Sequence, residues 1–320
     1  MKRLGVIGTM VWDTIHRGLD LPVEEWGGIA YSLVALDAAL ASDWEMVPLI
    51  KVGRDLAPRA NQFLNQLTHR SRQARFVEVP QPNNRVVLHY QSSVRRTECL
   101  SGGVPGWNWQ ELGPMVRDLD ALYLNFISGW ELTLETARCL RQGFSGPAYA
   151  DLHSLFLGMQ HDGLRVPQPL ADPGGWLSCF DVVQLNEDEM RRLGADPMTT
   201  AAMALGSGVR LLVVTVGPRG AVYFSPPLAP LPMVRGSEPR PAGLAQGPIQ
   251  TARVPAPPTA EDGDPTGCGD AFGATLCARL LAGVPIEQAL RDANACGARN
   301  FATRGAGGLR ESLRGGITVP

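Results

Sequence analysis

Asp264-Pro265-Thr266-Gly267-Cys268-Gly269-Asp270, followed by the apolar and small-residue run Ala271 to Leu281, is the stretch that decides the fold of this chain. Two glycines flank Cys268 and let successive backbone N–H groups point into one space. A helix predicted from Ala271 to Leu281 adds the unpaired N–H groups of its first turn, and together these make an anion hole. Asp270 stands at that helix start, where the helix dipole favours a carboxylate; it is expected to be ionised at neutral pH and ready to accept a proton. An anion hole beside a carboxylate base suits phosphoryl transfer. The hole holds charge on the moving phosphoryl group, and the base takes the proton of the attacking hydroxyl. A plain turn followed by a helix cap would use the same residue types.

Outward from this run, strand and helix patterns alternate. Leu4 to Ile7, Met46 to Val52, Ala121 to Asn125, Pro147 to Ala150, Asp181 to Leu185 and Arg210 to Val216 read as buried strands, the last able to pair with Ala221 to Phe224 as a hairpin. Between them lie helix patterns at Ile29 to Ala41, Pro58 to Leu67, Leu132 to Gln142 and Glu187 to Leu193, and a last helix runs from Ile286 to Ala302. This rhythm predicts an α/β fold with a mainly parallel sheet covered by helices on both faces. Ligands of such sheets sit at the carboxyl ends of the strands. The segment from Phe76 to Leu100 breaks the rhythm with short strand patterns and no helix, and reads as a small separate β-sheet. Residues 225–258 are rich in Pro and Gly and read as a surface insertion with at most edge strands.

The bulk numbers narrow the function. With 320 residues, 44% hydrophobic and a net charge of −2, the chain can bury a large core. It lacks the basic excess that nucleic acid or a membrane surface demands, so neither is an expected partner. Six cysteines without a C-x-x-C pair suit reduced thiols and a cytoplasmic setting. Lys2 and Arg3 precede an apolar run that is too short for a leader and reads as a first strand. No G-x-x-x-x-G-K-[ST] or G-x-S-x-G occurs, which disfavours a P-loop kinase and an α/β-hydrolase.

Taken with its glycines and both aspartates, the run from Asp264 to Asp270 closely resembles the D-T-x-G-A-G-D signature of the ribokinase-like (PfkB) family of carbohydrate and nucleoside kinases. Pro265 and Cys268 are the departures. The resemblance covers nearly the whole chain and implies a single domain over 1–320: a three-layer αβα sandwich with a mainly parallel central sheet and a small β-sheet lid from segments 12–17 and 76–100. It implies Asp270 as catalytic base, with the backbone of Gly267, Cys268 and Gly269 as the anion hole. Asp13 matches a family aspartate that binds substrate hydroxyls, and Gly27-Gly28 a diglycine that lets substrate approach the backbone. Ser32 stands where the family often has a substrate-binding asparagine. Asn186 to Glu189 resembles N-x-x-E, which implies contacts of Asn186 with ATP phosphates and of Glu189 with Mg²⁺ through water. Thr215, Gly217 and Gly220 match T-x-G-x-x-G at the nucleotide site, and Asn294 lies in a small-residue helix beside adenine.

Asp264 and the Thr266 carbonyl correspond to groups that bind a monovalent cation such as K⁺, although Thr303-Arg304-Gly305-Ala306 matches its T-R-x-G-A partner imperfectly. Trp12, Trp26 and Trp130 are either stacking surfaces for substrate or core residues, and Asp151 and His153 face either the reactants or solvent. The expected activity is ATP-dependent phosphorylation of a hydroxyl on a sugar or sugar derivative. The alternatives are a nucleoside kinase of the same fold and a non-catalytic ligand-binding relative. Self-association through the lid, as in family members, is a further implication.

Overall fold

The computed structural model describes residues 1–17, 21–90, 96–227, 247–259 and 263–315. The chain opens with strands β1 (Lys2–Ile7), β2 (Met10–Arg17) and β3 (Val23–Gly28), then α1 (Ile29–Ala39), β4 (Trp44–Leu49), the short β5 (Lys51–Gly53) and α2 (Ala57–Leu64). Its middle carries β6 (Val77–Val79), β7 (Arg85–Tyr90), β8 (Arg96–Ser101), α3 (Trp109–Val116), β9 (Ala121–Asn125), α4 (Leu134–Gly143) and β10 (Ala148–Asp151). The paired β11 (Leu157–Met159) and β12 (Arg165–Pro167) lead to α5 (Pro173–Leu177). Then come β13 (Val182–Asn186), α6 (Glu187–Leu193), α7 (Pro197–Gly206), β14 (Leu211–Thr215), β15 (Ala221–Ser225) and β16 (Gln250–Val254). Three helices close the described chain: α8 (Cys268–Leu281), α9 (Ile286–Phe301) and α10 (Gly305–Leu313).

Eight strands form one sheet in the order β16-β15-β14-β13-β10-β9-β1-β4. The six from β4 to β14 are parallel, and β15 and β16 add an antiparallel edge. The period of two along each strand separates two cores. Leu4, Val6, Ala121, Tyr123, Val182, Leu211 and Val213 face the side packed by α1, α2, α8, α9 and α10. Ile7, Leu122, Leu124, Val183, Leu185, Leu212 and Val214 face α3 to α7. The expected three-layer sandwich is therefore present, because both faces of each parallel strand are apolar and each needs a helical cover.

A separate sheet runs in the order β3-β2-β7-β8. Its buried face gathers Val11, Ile15, Val86, Leu88 and Leu100, with Ile127 and Trp130 packed against them. Its composition differs from the expected lid segments in two ways. Val23–Gly28 is a strand pairing with β2, although Glu24, Glu25 and the two glycines hide any strand pattern. Val77–Val79 pairs with β5 instead, outside this sheet. The expected continuous strand from Met46 to Val52 is also divided, since Lys51–Gly53 turns away to meet β6.

Helix α4 begins at Leu134 rather than Leu132, because the Thr133 side chain accepts from the Thr136 N–H (3.1 Å) and caps it. Within the Pro- and Gly-rich stretch, β16 is an edge strand as expected, while 228–246 lies outside the described residues. Among the described residues, no helix is long and apolar enough to cross a membrane.

Candidate active site

The parallel register brings polar residues into line at one edge of the sheet. Asn125 ends β9 beside Asp151 at the end of β10, and Asn186 ends β13 beside Thr215 at the end of β14. Above this edge lies the N-terminus of α8. Gly267 is its N-cap with φ of 77°, and a Cβ there would come within 2.4 Å of the Tyr31 ring, so the backbone angle and the packing both demand glycine.

Asp270 occupies the first turn of α8 and is partly buried. Asn125 Nδ2 donates to its Oδ1 at 2.7 Å. Burial raises its pKa, against the lowering by the Asn125 hydrogen bond and by the positive charges of His153 and Arg96. The net effect is opposite in sign to that of the helix dipole. Desolvation outweighs it and moves the carboxyl toward the range of a working general base. Of the backbone amides of Gly267, Cys268 and Gly269 expected to hold phosphoryl charge, that of Cys268 is engaged within the turn. The Cys268 N–H donates to the Pro265 carbonyl (3.2 Å), which leaves Gly269 and Asp270 at the first turn, where the helix offers amides no acceptor. The Cys268 thiol is packed against Asn300 Nδ2 at 3.3 Å, and burial pushes its pKa up to about 12, so it stays a neutral thiol.

Asp13 lies on β2, 4% exposed, and burial raises its pKa well above the usual carboxylate range; Arg96 opposes this, while Glu98, Asp270 and Asp264 add to it. A Cβ on Gly27 would fall 1.7 Å from Asp13 Oδ2. Gly27 therefore makes room for the Asp13 carboxyl. Gly28, with φ of 58°, turns the chain from β3 into α1.

Ser32 has partners within the fold. It is fully buried, and its hydroxyl meets the Asn125 amide (3.1 Å), the Tyr123 hydroxyl (3.2 Å) and the Asp270 carbonyl (3.3 Å). It holds Asn125 and the start of α8 in place. Trp12 and Trp26 pack edge to face at 5.2 Å, and Trp130 donates its ring N–H to the Val104 carbonyl at 3.1 Å.

Several residues of this network carry no sequence signal of their own. Gln184 Nε2 donates to Asp151 Oδ2 (2.7 Å) and to the Gly269 carbonyl (3.1 Å), and so ties β10 and β13 to α8. Gly273 is a glycine because a Cβ there would lie 2.4 Å from Gln184 Oε1. His153 Nδ1 lies 2.5 Å from Glu189 Oε1, and that carboxylate raises the imidazole to about 9 despite burial. Burial and the neighbouring Glu189 raise Asp151 to about 8. The only advance pointer to Asn125 and Gln184 was their place near the carboxyl ends of strands.

Asn186 and Glu189 form a capping box. The Asn186 side chain accepts from the amides of Asp188 (2.9 Å) and Glu189 (3.0 Å), and Glu189 Oε2 accepts from the Asn186 amide (2.7 Å). Among the described residues, no group of three side chains suited to a metal ion occurs. Mg²⁺ carried on donor phosphates needs only one or two carboxylates. Asp151 and the engaged Glu189 fit such an ion through water.

A cavity of about 510 Å³ opens beside α8. Thr215, Gly217, Gly220, Cys268, Gly269 and Asn294 line it, together with Ala256, Phe272, Ala298 and Phe301, most of which the sequence did not single out. Gly220 has φ of 97°, and a Cβ there would meet the Val254 carbonyl at 2.1 Å. Asn294 Nδ2 donates to the carbonyls of Val254 (3.0 Å) and Pro255 (3.3 Å), fixing the end of β16 as a wall of the cavity. Gly269 belongs both to this cavity and to the turn that carries Asp270.

The groups expected to hold a monovalent cation are already engaged by side chains. Arg17 Nη2 donates to Asp264 Oδ1 (2.5 Å), and Asn300 Nδ2 donates to the Thr266 carbonyl (2.7 Å).

The fold is shared with solved structures. One, a pyrophosphate-dependent kinase in the ribokinase family complexed with a pyrophosphate analog and myo-inositol, matches with a TM-score of 0.73 and 15% identity over 98% of this chain and 100% of that one. Ribokinase of Arabidopsis thaliana, complexed with ribose and ATP, matches at 0.66 and 17% over 100% and 99%. A nucleoside kinase of Burkholderia thailandensis in complex with inosine matches at 0.65 and 18% over 98% of each. No curated protein matches. The fold is that of the ribokinase-like kinases. Residues 172–312 match the family model described as pfkB family carbohydrate kinase.

Proposed function

We propose that this chain transfers the γ-phosphoryl group of ATP to a hydroxyl of a sugar or sugar derivative, with Asp270 as general base. The observation that carries this reading is the continuity at the start of α8. Gly269 lines the large cavity, and the next residue is a carboxyl whose pKa is raised by burial and which faces the separate sheet bearing Asp13. Donor and acceptor thus approach one turn of one helix from opposite sides.

In this reading Asp13 accepts hydrogen bonds from acceptor hydroxyls and fixes their orientation. Asp270 takes the proton of the attacking hydroxyl while Asn125 holds its other function in place. The amides at the first turn of α8 and the positive His153 stabilise charge on the moving phosphoryl group. Mg²⁺ on the donor phosphates, held through water by Asp151 and Glu189, would neutralise charge on the β- and γ-phosphoryl oxygens. The β3-β2-β7-β8 sheet acts as the lid, excluding water from the acceptor.

A nucleotide suits the donor cavity better than pyrophosphate does. Phe272, Phe301, Ala256 and Ala298 offer apolar surface to a base, and pyrophosphate has no group to place there. The test is ADP release from ATP against a panel of sugars, sugar acids and nucleosides, run in parallel with pyrophosphate as donor. Turnover of a sugar with ATP is expected. Turnover of nucleosides alone, or with pyrophosphate alone, would replace this reading.

A further inference from the structure

Asp264 is 5% exposed, and a buried carboxylate requires a counter-charge close by. The second sheet supplies it as part of the chain. Arg17, the last residue of β2, donates through Nη2 to Asp264 Oδ1 (2.5 Å) and through Nη1 to the Gly263 carbonyl (3.1 Å). Its guanidinium stacks 4.3 Å from the centre of the Tyr90 ring, its register partner on β7. The Tyr90 hydroxyl reaches Thr266 Oγ1 at 2.6 Å. Two adjacent lid strands thus clamp the loop that leads into the anion hole.

The remaining groups of a cation site are engaged as well. Asp264 Oδ1 also accepts from the Thr266 amide (2.8 Å), and the Thr266 carbonyl accepts from Asn300 Nδ2 (2.7 Å). The stretch after Thr303 is turned toward β3. The Gly307 amide donates to Glu25 Oε1 (2.6 Å), and a Cβ on Gly305 would lie 2.0 Å from the Glu25 carboxyl carbon. The residues present therefore do not fit a bound K⁺.

We propose that Arg17 is the built-in cation of this loop, and that phosphoryl transfer by this chain is independent of monovalent cations. The inference rests on the kinase reading above. Arg17 is a positioning residue: it acts on the anion hole through Asp264. The alternation of β2 places Asp13 and Arg17 on the same face. One strand therefore presents both the carboxylate for the acceptor and the cation that orders the donor side. The counter-charge is part of the chain, so the loop is ordered whatever the ionic composition.

The experiment uses the full chain in chlorides of K⁺, Na⁺ and tetramethylammonium at one ionic strength, reading kcat by ADP release and the thermal midpoint without substrate. The wild type is expected to change in kcat by less than about twofold and in midpoint by less than about 1 °C among the three salts, because an ion that does not bind cannot stabilise. Arg17→Gln, which keeps the stem and removes the charge, should lower kcat on the order of tenfold in tetramethylammonium. K⁺ should restore part of that loss, which a merely structural arginine would not allow. A wild type activated by K⁺ beyond about twofold, or stabilised by it beyond about 1 °C, overturns the proposal. So does an Arg17→Gln variant with unchanged kcat, or one as slow in K⁺ as in tetramethylammonium. If that variant does not fold, the wild-type salt series decides alone. The melting series needs no acceptor, so its result is separate from the fate of the kinase assignment.

Discussion

Asp270→Asn removes the proposed base while changing the shape of its site least. The amide oxygen can still accept from Asn125 Nδ2, which lies 2.7 Å from the carboxylate oxygen it replaces. Loss of a general base lowers kcat by about 100- to 10,000-fold, or about 2.7–5.4 kcal/mol in the barrier. Stability should move little, for two opposed reasons. The hydrogen bond from Asn125 weakens by about 1 kcal/mol when its acceptor loses charge. Against this, the carboxyl has its pKa raised by burial, so its ionised form destabilises the native state at neutral pH, and the neutral amide relieves that. The midpoint is expected to stay within about 3 °C of wild type.

The assay pairs single-turnover ADP release with thermal melting and ATP binding by calorimetry. The wild-type acid limb should have its midpoint above 3.8, the ordinary value for an aspartate, and the variant should lack that limb. A variant that folds, binds ATP and keeps kcat within about threefold of wild type would refute the assignment of Asp270 as base.

Three further outcomes follow from the same geometry. His153 has its pKa raised from 6.5 to about 9, so its pairing with Glu189 stabilises the fold fully below 6.5 and is lost as pH rises through about 9. Asp151, raised from 3.8 to about 8, destabilises the native state increasingly over that interval. The thermal midpoint should therefore fall between pH 6.5 and 9, and His153→Ala should flatten the upper part of the fall; an unchanged profile in the variant would contradict it.

Gly27→Ala places a methyl 1.7 Å from Asp13 Oδ2. Displacement of that carboxyl should raise KM for the acceptor, leave KM for ATP unchanged, and cost about 1–3 kcal/mol in urea unfolding. Ser32→Ala should lower kcat a few-fold by loosening Asn125 and α8, at about 1 kcal/mol of stability. A rise confined to acceptor KM would instead restore Ser32 as a substrate contact.

The sequence alone determined the layered α/β architecture, because parallel strands buried on both faces must be continuously apolar, and runs such as Leu211 to Val214 have no other stable setting. It also marked Asp270 and the glycines before it, since a left-handed N-cap at Gly267 and the contact with Tyr31 admit no other residue. It could not show β3, whose acidic and glycine residues look like a loop until they pair with β2.

Nor could it distinguish roles that depend on what lies opposite. Ser32 lies four residues after Gly28 in the chain, and its hydroxyl faces Asn125 and Tyr123. Asn125 and Gln184 acquire their part only when parallel strand ends meet α8. Most plainly, the DPTGCGD run itself left Asp264 as an open cation ligand. Only the tertiary fold brings Arg17, 247 positions away along the chain, onto that carboxylate. Residue spacing encodes local conformation and burial, whereas the counter-charge of a buried group is set by whichever strand packs over it.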